Sequence, residues 1–265
     1  YNLLHKNIMK FKTLTLTEGN SIATIEFNRP ESLNAVNEQL VWDFQEATSS
    51  VRNNDSIKIL VIQGEGRAFC AGADLSEKNS SWEGSKDALI RGYKPFFENI
   101  IEMSKPVIAS INGPAAGVGA SIAMACDLRI MSKDAYILSV FSNIALVPDG
   151  GLSWMLTRFL GYAKAYEYAI EAKKIDSEVC LKYGIANKVV EKSNLKEETL
   201  KWANELIKRP SQSLSFTKKL MRESLNNSFW EIYDKEAEIQ NNLTKSEQNH
   251  EAVKAFFEKR KPNFD

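Results

Sequence analysis

From residue 11 to 27 apolar and polar positions alternate on either side of Glu18-Gly19-Asn20, which predicts a β-hairpin. The rhythm then changes. Over 37–53 the apolar residues Leu40, Phe44, Ala47 and Val51 fall on one face at helical spacing. A short, almost wholly apolar run over 57–62 has the pattern of a strand buried on both faces. Gly64-Glu65-Gly66 ends it, and an irregular stretch over 67–75 follows. Residues 85–103 read as a helix, 106–111 as a second buried strand stopped by Asn112-Gly113-Pro114, and the small apolar residues of 115–125 as a buried helix. Two more strands are predicted over 128–131 and 137–140. A run of helices begins with 152–160, and one late strand is predicted around 188–190. Strands alternate with helices to about residue 150 and helices dominate beyond it. The pattern predicts an α/β fold class, with a core over 9–195 and a helical C-terminal region over 196–265. Pro210 is expected to mark a joint between two helices. Residues 1–8, ahead of Met9, are left outside the expected fold.

Composition removes several classes of function. Lys plus Arg and Asp plus Glu both total 34 of 265 residues, so the chain lacks the positive charge of a nucleic-acid binder. Local basic groups at Lys218-Lys219 and Lys259-Arg260-Lys261 read as solvated helix faces, with a ligand-phosphate anchor as the other reading. No apolar run approaches the roughly 20 residues that span a bilayer, and no secretory signal is expected. Cys70, Cys126 and Cys180 are odd in number and lack metal-ligand spacing, so they read as reduced thiols of a cytoplasmic protein. Neither His5 nor His250 flanks an apolar motif, which argues against a Ser-His-Asp or Cys-His catalyst and against a histidine metal site. No metal is expected.

Three segments could carry chemistry. The first, Ala68-Phe69-Cys70-Ala71-Gly72-Ala73-Asp74-Leu75, directly follows a strand, and its small residues let a ligand lie against the main chain. The same run also reads as a tight connection and nothing more. In the second, Asn112-Gly113-Pro114-Ala115-Ala116-Gly117-Val118-Gly119-Ala120-Ser121, a buried strand gives way to a helix N-terminus. Unpaired N–H groups and a partial positive charge there suit an oxyanion. Close helix packing through small residues explains that run equally well, and the Gly-Lys-Ser/Thr ending of a phosphate loop is missing. The third segment, Val147-Pro148-Asp149-Gly150-Gly151, places one carboxylate in a turn. Asp149 has two readings. As the N-cap of the following helix its pKa would be lowered; as a proton carrier it would be raised by apolar neighbours, for which Phe141, Leu146 and Trp154 are the sequence candidates. Asp87 and Asp127 read as structural.

Taken together and in this order, the first two segments resemble the crotonase superfamily, the enoyl-CoA hydratase/isomerase family, over about residues 11–190. Leu128-Arg129-Ile130 after Cys126-Asp127 fits the same resemblance. It implies a spiral core of ββα turns followed by a helical C-terminal region used in trimerisation, with a homotrimer or dimer of trimers as the assembly. It also implies an acyl-CoA substrate, with no cofactor beyond CoA as the carrier. The enolate of the thioester would be held by the N–H groups of Ala71 and Val118, where many members have Gly at the second position. By the same resemblance, Ser32, Leu33 and Ala35 wrap the CoA adenine, and Gly72, Ala73, Asp74 and Leu75 line the pantetheine path. Gly119, Phe141 and Pro148 are expected beside the acyl group, and the basic helix end around Lys259 is a candidate contact for a CoA phosphate.

Hydratases of the family use two glutamates, and the matching positions here are Ser121 and Phe141. Both carboxylates are missing, so hydration by the usual route is not expected. The 141–154 stretch is similar to the family's ring-1,2-epoxyphenylacetyl-CoA isomerases, and Δ3,Δ2-enoyl-CoA isomerases place a Glu at about the position of Asp149. A single carboxylate suits a 1,3-proton shift, in fatty acid metabolism or phenylacetate degradation. A 4-chlorobenzoyl-CoA dehalogenase would use the same Asp as nucleophile but needs a well-placed His. The remaining alternatives are hydratase-like activity by an unusual route and a non-catalytic CoA-binding protein. The direction in which Asp149 points separates the isomerase, with the side chain in the acyl end of the cleft, from the binding protein, with the side chain capping the helix and facing solvent.

Overall fold

The computed structural model describes residues 7–264. Its strands are β1 (Asn7–Lys10), β2 (Leu14–Gly19), β3 (Ile22–Phe27), β4 (Ile59–Gly64), β5 (Val107–Ile111), β6 (Pro114–Ala116), β7 (Leu128–Ser132), β8 (Tyr136–Leu138), β9 (Lys174–Asp176) and β10 (Lys188–Val190). Seven form one sheet in the order β1-β2-β3-β4-β5-β7-β10, antiparallel from β1 to β3 and parallel from β3 to β10. A smaller sheet holds β6, β8 and β9. The helices are α1 (Glu38–Asn53), α2 (Ser85–Asp87), a π-helical segment (Ala88–Tyr93), α3 (Lys94–Glu102), α4 (Val118–Ala125), α5 (Leu152–Leu160), α6 (Tyr162–Ile170), α7 (Ser177–Lys182), α8 (Leu195–Leu206), α9 (Ser211–Glu223), α10 (Phe229–Leu243) and α11 (Glu247–Phe257).

Local chemistry accounts for the main elements. The Asn37 side chain accepts a hydrogen bond from the Leu40 N–H and starts α1, whose predicted apolar face is buried. That face meets the large sheet edge-on through Phe44 and Phe27 of β3, and meets α3 through the tilted pair Phe44 and Phe96, each pair 5.0 Å between centroids. The sheet's other side, with Ile59, Val61, Ile108 and Ile130, is covered by Leu195 and Ala203 of α8. Strands covered on both faces need no alternation, which is why they read as continuous apolar runs.

Several boundaries differ from expectation. Asn7 and Ile8, left outside the fold above, pair with Glu18 and Thr17 and cover the free edge of β2. Residues 1–6, including His5, lie outside the described residues. The hairpin turns on Asn20-Ser21, both at positive φ (52° and 60°), because a tight hairpin needs left-handed backbone at its two central positions. The strand predicted over 57–62 is shifted to Ile59–Gly64. Ala115 and Ala116 are strand rather than helix, because pairing with Ile137 and Leu138 overrides their helix propensity. The strand β9 was not foreseen, and the helix over 85–103 contains the π-helical segment. Lys218 is not on a solvated face. Its ammonium donates to the Ile100 and Lys105 carbonyls and pairs with Asp127 at 2.8 Å. Among the described residues no helix is long and apolar enough to cross a membrane.

The register of the parallel strands positions the site. Phe27 pairs with Gly64 and Gln63 with Ser110, so β3, β4 and β5 end side by side. The loops that leave those ends, 28–36, 65–75 and 112–117, therefore gather at the edge where parallel sheets build ligand sites.

Candidate active site

The first two loops are zipped together by backbone hydrogen bonds. Val36 N–H donates to Gly72 O at 2.7 Å, Asp74 N–H to Val36 O at 2.9 Å and Ala71 N–H to Leu33 O at 3.0 Å. Asn34 fixes the zipper from below. Its buried amide donates to the Glu65 and Ala68 carbonyls at 2.9 Å each and accepts from the Arg29 N–H at 2.9 Å. The Arg29 guanidinium reaches the Ala35 carbonyl and pairs with Asp74 at 2.9 Å. Ser32, Leu33, Ala35, Gly72, Ala73, Asp74 and Leu75 are thus brought into one ledge, with Ala73 and Leu75 exposed. Asp74 is a brace within it: hydrogen bonds from Ser76 and then from Arg29 hold its carboxyl below the usual range.

Those same bonds correct one expectation. The Ala71 N–H is committed to Leu33 and is not free to hold an oxyanion. Regular extended backbone would send the N–H groups of Ala71 and Ala73 to the same side, but Gly72 between them, at φ +106°, breaks that alternation. Ala71 faces the neighbouring loop, and the N–H of Ala73 has no acceptor among the described residues. The second loop is stitched to the first by Cys70 N–H to Pro114 O (3.1 Å) and Ala116 N–H to Cys70 O (2.9 Å). Where they cross, the backbones approach too closely for side chains. A β-carbon on Gly72 (φ +106°) would lie 3.1 Å from the Ala116 carbonyl oxygen, and one on Gly117 (φ +52°) would lie 3.5 Å from the Gly72 Cα. One residue beyond this crossing on each loop stand Ala73 and Val118. Val118 opens α4, and its N–H likewise has no acceptor among the described residues. Gly119, expected beside the acyl group, has a packing role, since a β-carbon there would sit 2.3 Å from the Cys70 carbonyl oxygen. The Phe141 ring is buried next to this crossing, 3.9 Å from a β-carbon on Gly117.

Asp149 lies in the turn before α5, and its side chain does not cap that helix. Gly151 occupies the cap position, and only the Asp149 carbonyl is used, accepting from the Leu152 N–H at 3.0 Å. The carboxyl oxygen Oδ1 is buried with no hydrogen-bond partner among the described residues. Around it is an apolar cavity of about 700 Å³, lined by Leu89, Tyr93, Phe97, Pro148, Trp154 and Met155 among others. Burial in these surroundings pushes the Asp149 carboxyl up to about 6. Ser121 Oγ donates to the Asp149 carbonyl at 2.9 Å, anchoring the turn about 4.5 Å along α4 from Val118. The Tyr93 hydroxyl, in the same cavity, also lacks a partner among the described residues; burial, then the Asp149 charge, raises its pKa.

Of the apolar neighbours expected for Asp149, Trp154 lines the cavity but Leu146 is exposed on the far side of Val147 and Pro148, in a second cavity with Tyr162 and Tyr166. Tyr93 and Phe97 were missed because they come from a distant segment, and Met155, next to Trp154 on α5, was missed as well. Asp87 is tied to Arg91, and Asp127 to Lys218, Arg222 and the Val107 N–H, so both are structural.

Comparison with known proteins matches this arrangement to the enoyl-CoA hydratase/isomerase family, whose model covers residues 17–265. The chain is 32% identical to the 1,2-epoxyphenylacetyl-CoA isomerase of Escherichia coli K12, over 92% of this chain and 94% of that one. It is 30% identical to the trans-2-decenoyl-[acyl-carrier-protein] isomerase of Streptococcus mutans, over 97% and 99%. Among solved structures, an enoyl-CoA hydratase from Polaromonas sp. JS666 superposes with a TM-score of 0.89 at 30% identity, covering 94% of this chain and 98% of that one. Similar proteins thus include both isomerases and hydratases.

Proposed function

This chain belongs to the enoyl-CoA hydratase/isomerase family of the crotonase superfamily, and from that premise we propose that it isomerises an enoyl-CoA by a 1,3-proton shift. The supporting observation is Asp149, half-buried, whose carboxyl Oδ1 is buried without a partner in an apolar cavity and whose backbone is anchored to Ser121, one helical turn from the α4 N-terminus. The carboxylate removes a proton from C2 of a 3-enoyl thioester. Electrons move into the thioester carbonyl, whose oxygen is held as an enolate by the Ala73 and Val118 N–H groups. The same carboxyl group then delivers the proton to C4, and the double bond comes to rest between C2 and C3. A pKa near 6 suits a group that must accept and return a proton near neutrality. Hydration needs a second acid or base, and Ser121 and Phe141 supply none.

The ledge of Ser32, Leu33, Ala35 and residues 72–75 is assigned to CoA, the substrate's carrier, and no further cofactor is part of the reading. A trimer, or a dimer of trimers, is the proposed assembly. Its support is the exposed aromatic set Phe229, Trp230 and Tyr233 on α10 with Phe256 and Phe257 on α11; sedimentation equilibrium of the full chain tests it.

The reaction is tested by incubating the protein with 3-enoyl- and 2-enoyl-CoA esters and analysing products by mass. Isomerisation leaves the mass unchanged, and hydration adds one water. Asp149→Asn is expected to abolish isomerisation while CoA binding persists. Full activity in that variant would sink the assignment.

A further inference from the structure

The cavity beyond Asp149 is much larger than the proposed chemistry alone requires. A crotonyl-sized acyl group ends near the carboxyl that works on it. From there the cavity runs from Tyr93, at the end of the π-helical segment, along one face of α3 through Phe97 to Ile101, about 12 Å in all. On α4 it is lined by Ala125, at the end away from Val118, and Leu225, in the turn after α9, closes it. Its volume of about 700 Å³ falls within the roughly 300–1,000 Å³ of sites that enclose drug-sized ligands. Apart from Asp149, the charged groups on its wall and the Asn226 amide oxygen already have partners. Lys94 pairs with Glu98 at 3.5 Å, Arg222 with Asp127 at 2.6 Å, and the Asn226 amide oxygen accepts from Arg158 at 3.2 Å. Nothing there calls for a charge on the ligand.

We propose that this chamber selects an uncharged, medium-chain or ring-bearing acyl group over a short one, with Phe97, Ile101, Trp154, Met155 and Leu225 as the residues that set its size. This rests on the isomerase reading for the position of the thioester, and not for the chemistry carried out on it.

Saturated acyl-CoAs do not react and so separate fit from catalysis. Calorimetric titration of the full chain with butyryl-, hexanoyl-, decanoyl- and suberyl-CoA is the test. A methylene moved from water into an apolar wall tightens binding about fourfold. Decanoyl-CoA is therefore expected to bind at least tenfold more tightly than butyryl-CoA, and suberyl-CoA, with its terminal carboxylate, to lose that gain. Equal affinities for decanoyl- and butyryl-CoA overturn the proposal, as does suberyl-CoA matching decanoyl-CoA. Ile101→Trp and Leu225→Trp alter half-exposed positions and should each reduce the decanoyl-to-butyryl ratio at least threefold. An unchanged ratio in both, with cooperative unfolding retained, also overturns it. If the chain-length gain holds but 3-decenoyl-CoA is not isomerised, the 1,3-shift is refuted and the chamber assignment stands.

Discussion

A carboxyl group without a partner in an apolar chamber is costly to ionise, and that cost has a sign that can be measured. The Asp149 carboxyl titrates at about 6 in the folded protein against an ordinary 3.8. Below both values the group is neutral in folded and unfolded chains and contributes nothing. Between them the unfolded chain releases the proton first, so stability falls as pH rises, and above 6 the full cost is present. Asp149→Asn is therefore expected to be more stable than wild type at pH 7.5 by about 1–2 kcal/mol, after allowance for partial exposure, with the difference gone below about pH 3. Urea unfolding of both proteins across that range checks it. The base form is also the catalytically competent one. kcat/KM for isomerisation should rise with unit slope below pH 6 and level off above it, and Asp149→Asn should lower kcat by about 10²–10⁴-fold. A flat profile across pH 5–7 contradicts the role.

The two glycine-punctuated loops behave as one element because small residues let them touch. Two contacts are tightest: an added β-carbon would lie 2.1 Å from the Arg67 carbonyl oxygen at Gly113 and 2.3 Å from the Cys70 carbonyl oxygen at Gly119. Gly119→Ala is expected to cost about 1–3 kcal/mol in denaturant unfolding, by overpacking. It should also disturb the enolate site, because the shift displaces the start of α4. The π-helical segment matters at the same scale: it turns Leu89 and Tyr93 toward Asp149, and such insertions recur at functional sites.

At the scale of the whole molecule, one carboxylate ties the C-terminal helices to the core. Asp127, at the foot of β7, accepts from the Val107 N–H and pairs with Lys218 and Arg222 of α9, and Arg222 and Leu225, just past the helix end, both line the cavity. The Lys218 side chain is only 8% exposed, so removing its partner leaves a charge poorly solvated. Asp127→Ala is expected to destabilise the fold by about 2–4 kcal/mol. It should also make the segment around α9 the first site of limited proteolysis, and weaken decanoyl-CoA binding more than butyryl-CoA binding. Cleavage unchanged in rate and place contradicts this coupling.

Hydrophobic rhythm determined the alternation of strands and helices, the buried faces of α1, β4 and β5, and the two glycine turns. These are local properties, set by the periodicity of side chains and the steric freedom of glycine, so they are legible in one chain. Their order carried the family resemblance and pointed to Val118 and Asp149. Tertiary structure alone decided the rest. Ala71 and Ala73 differ little in sequence, and only the hydrogen bond to Leu33 takes the first N–H out of use and leaves the second open. The two readings of Asp149 were equally consistent with Pro148-Asp149-Gly150. The choice between them came from Tyr93 and Phe97, brought from a remote segment to join Trp154 and Met155 around a carboxyl group that caps nothing. Burial depends on what lies across the cavity, and no sequence neighbour reports that.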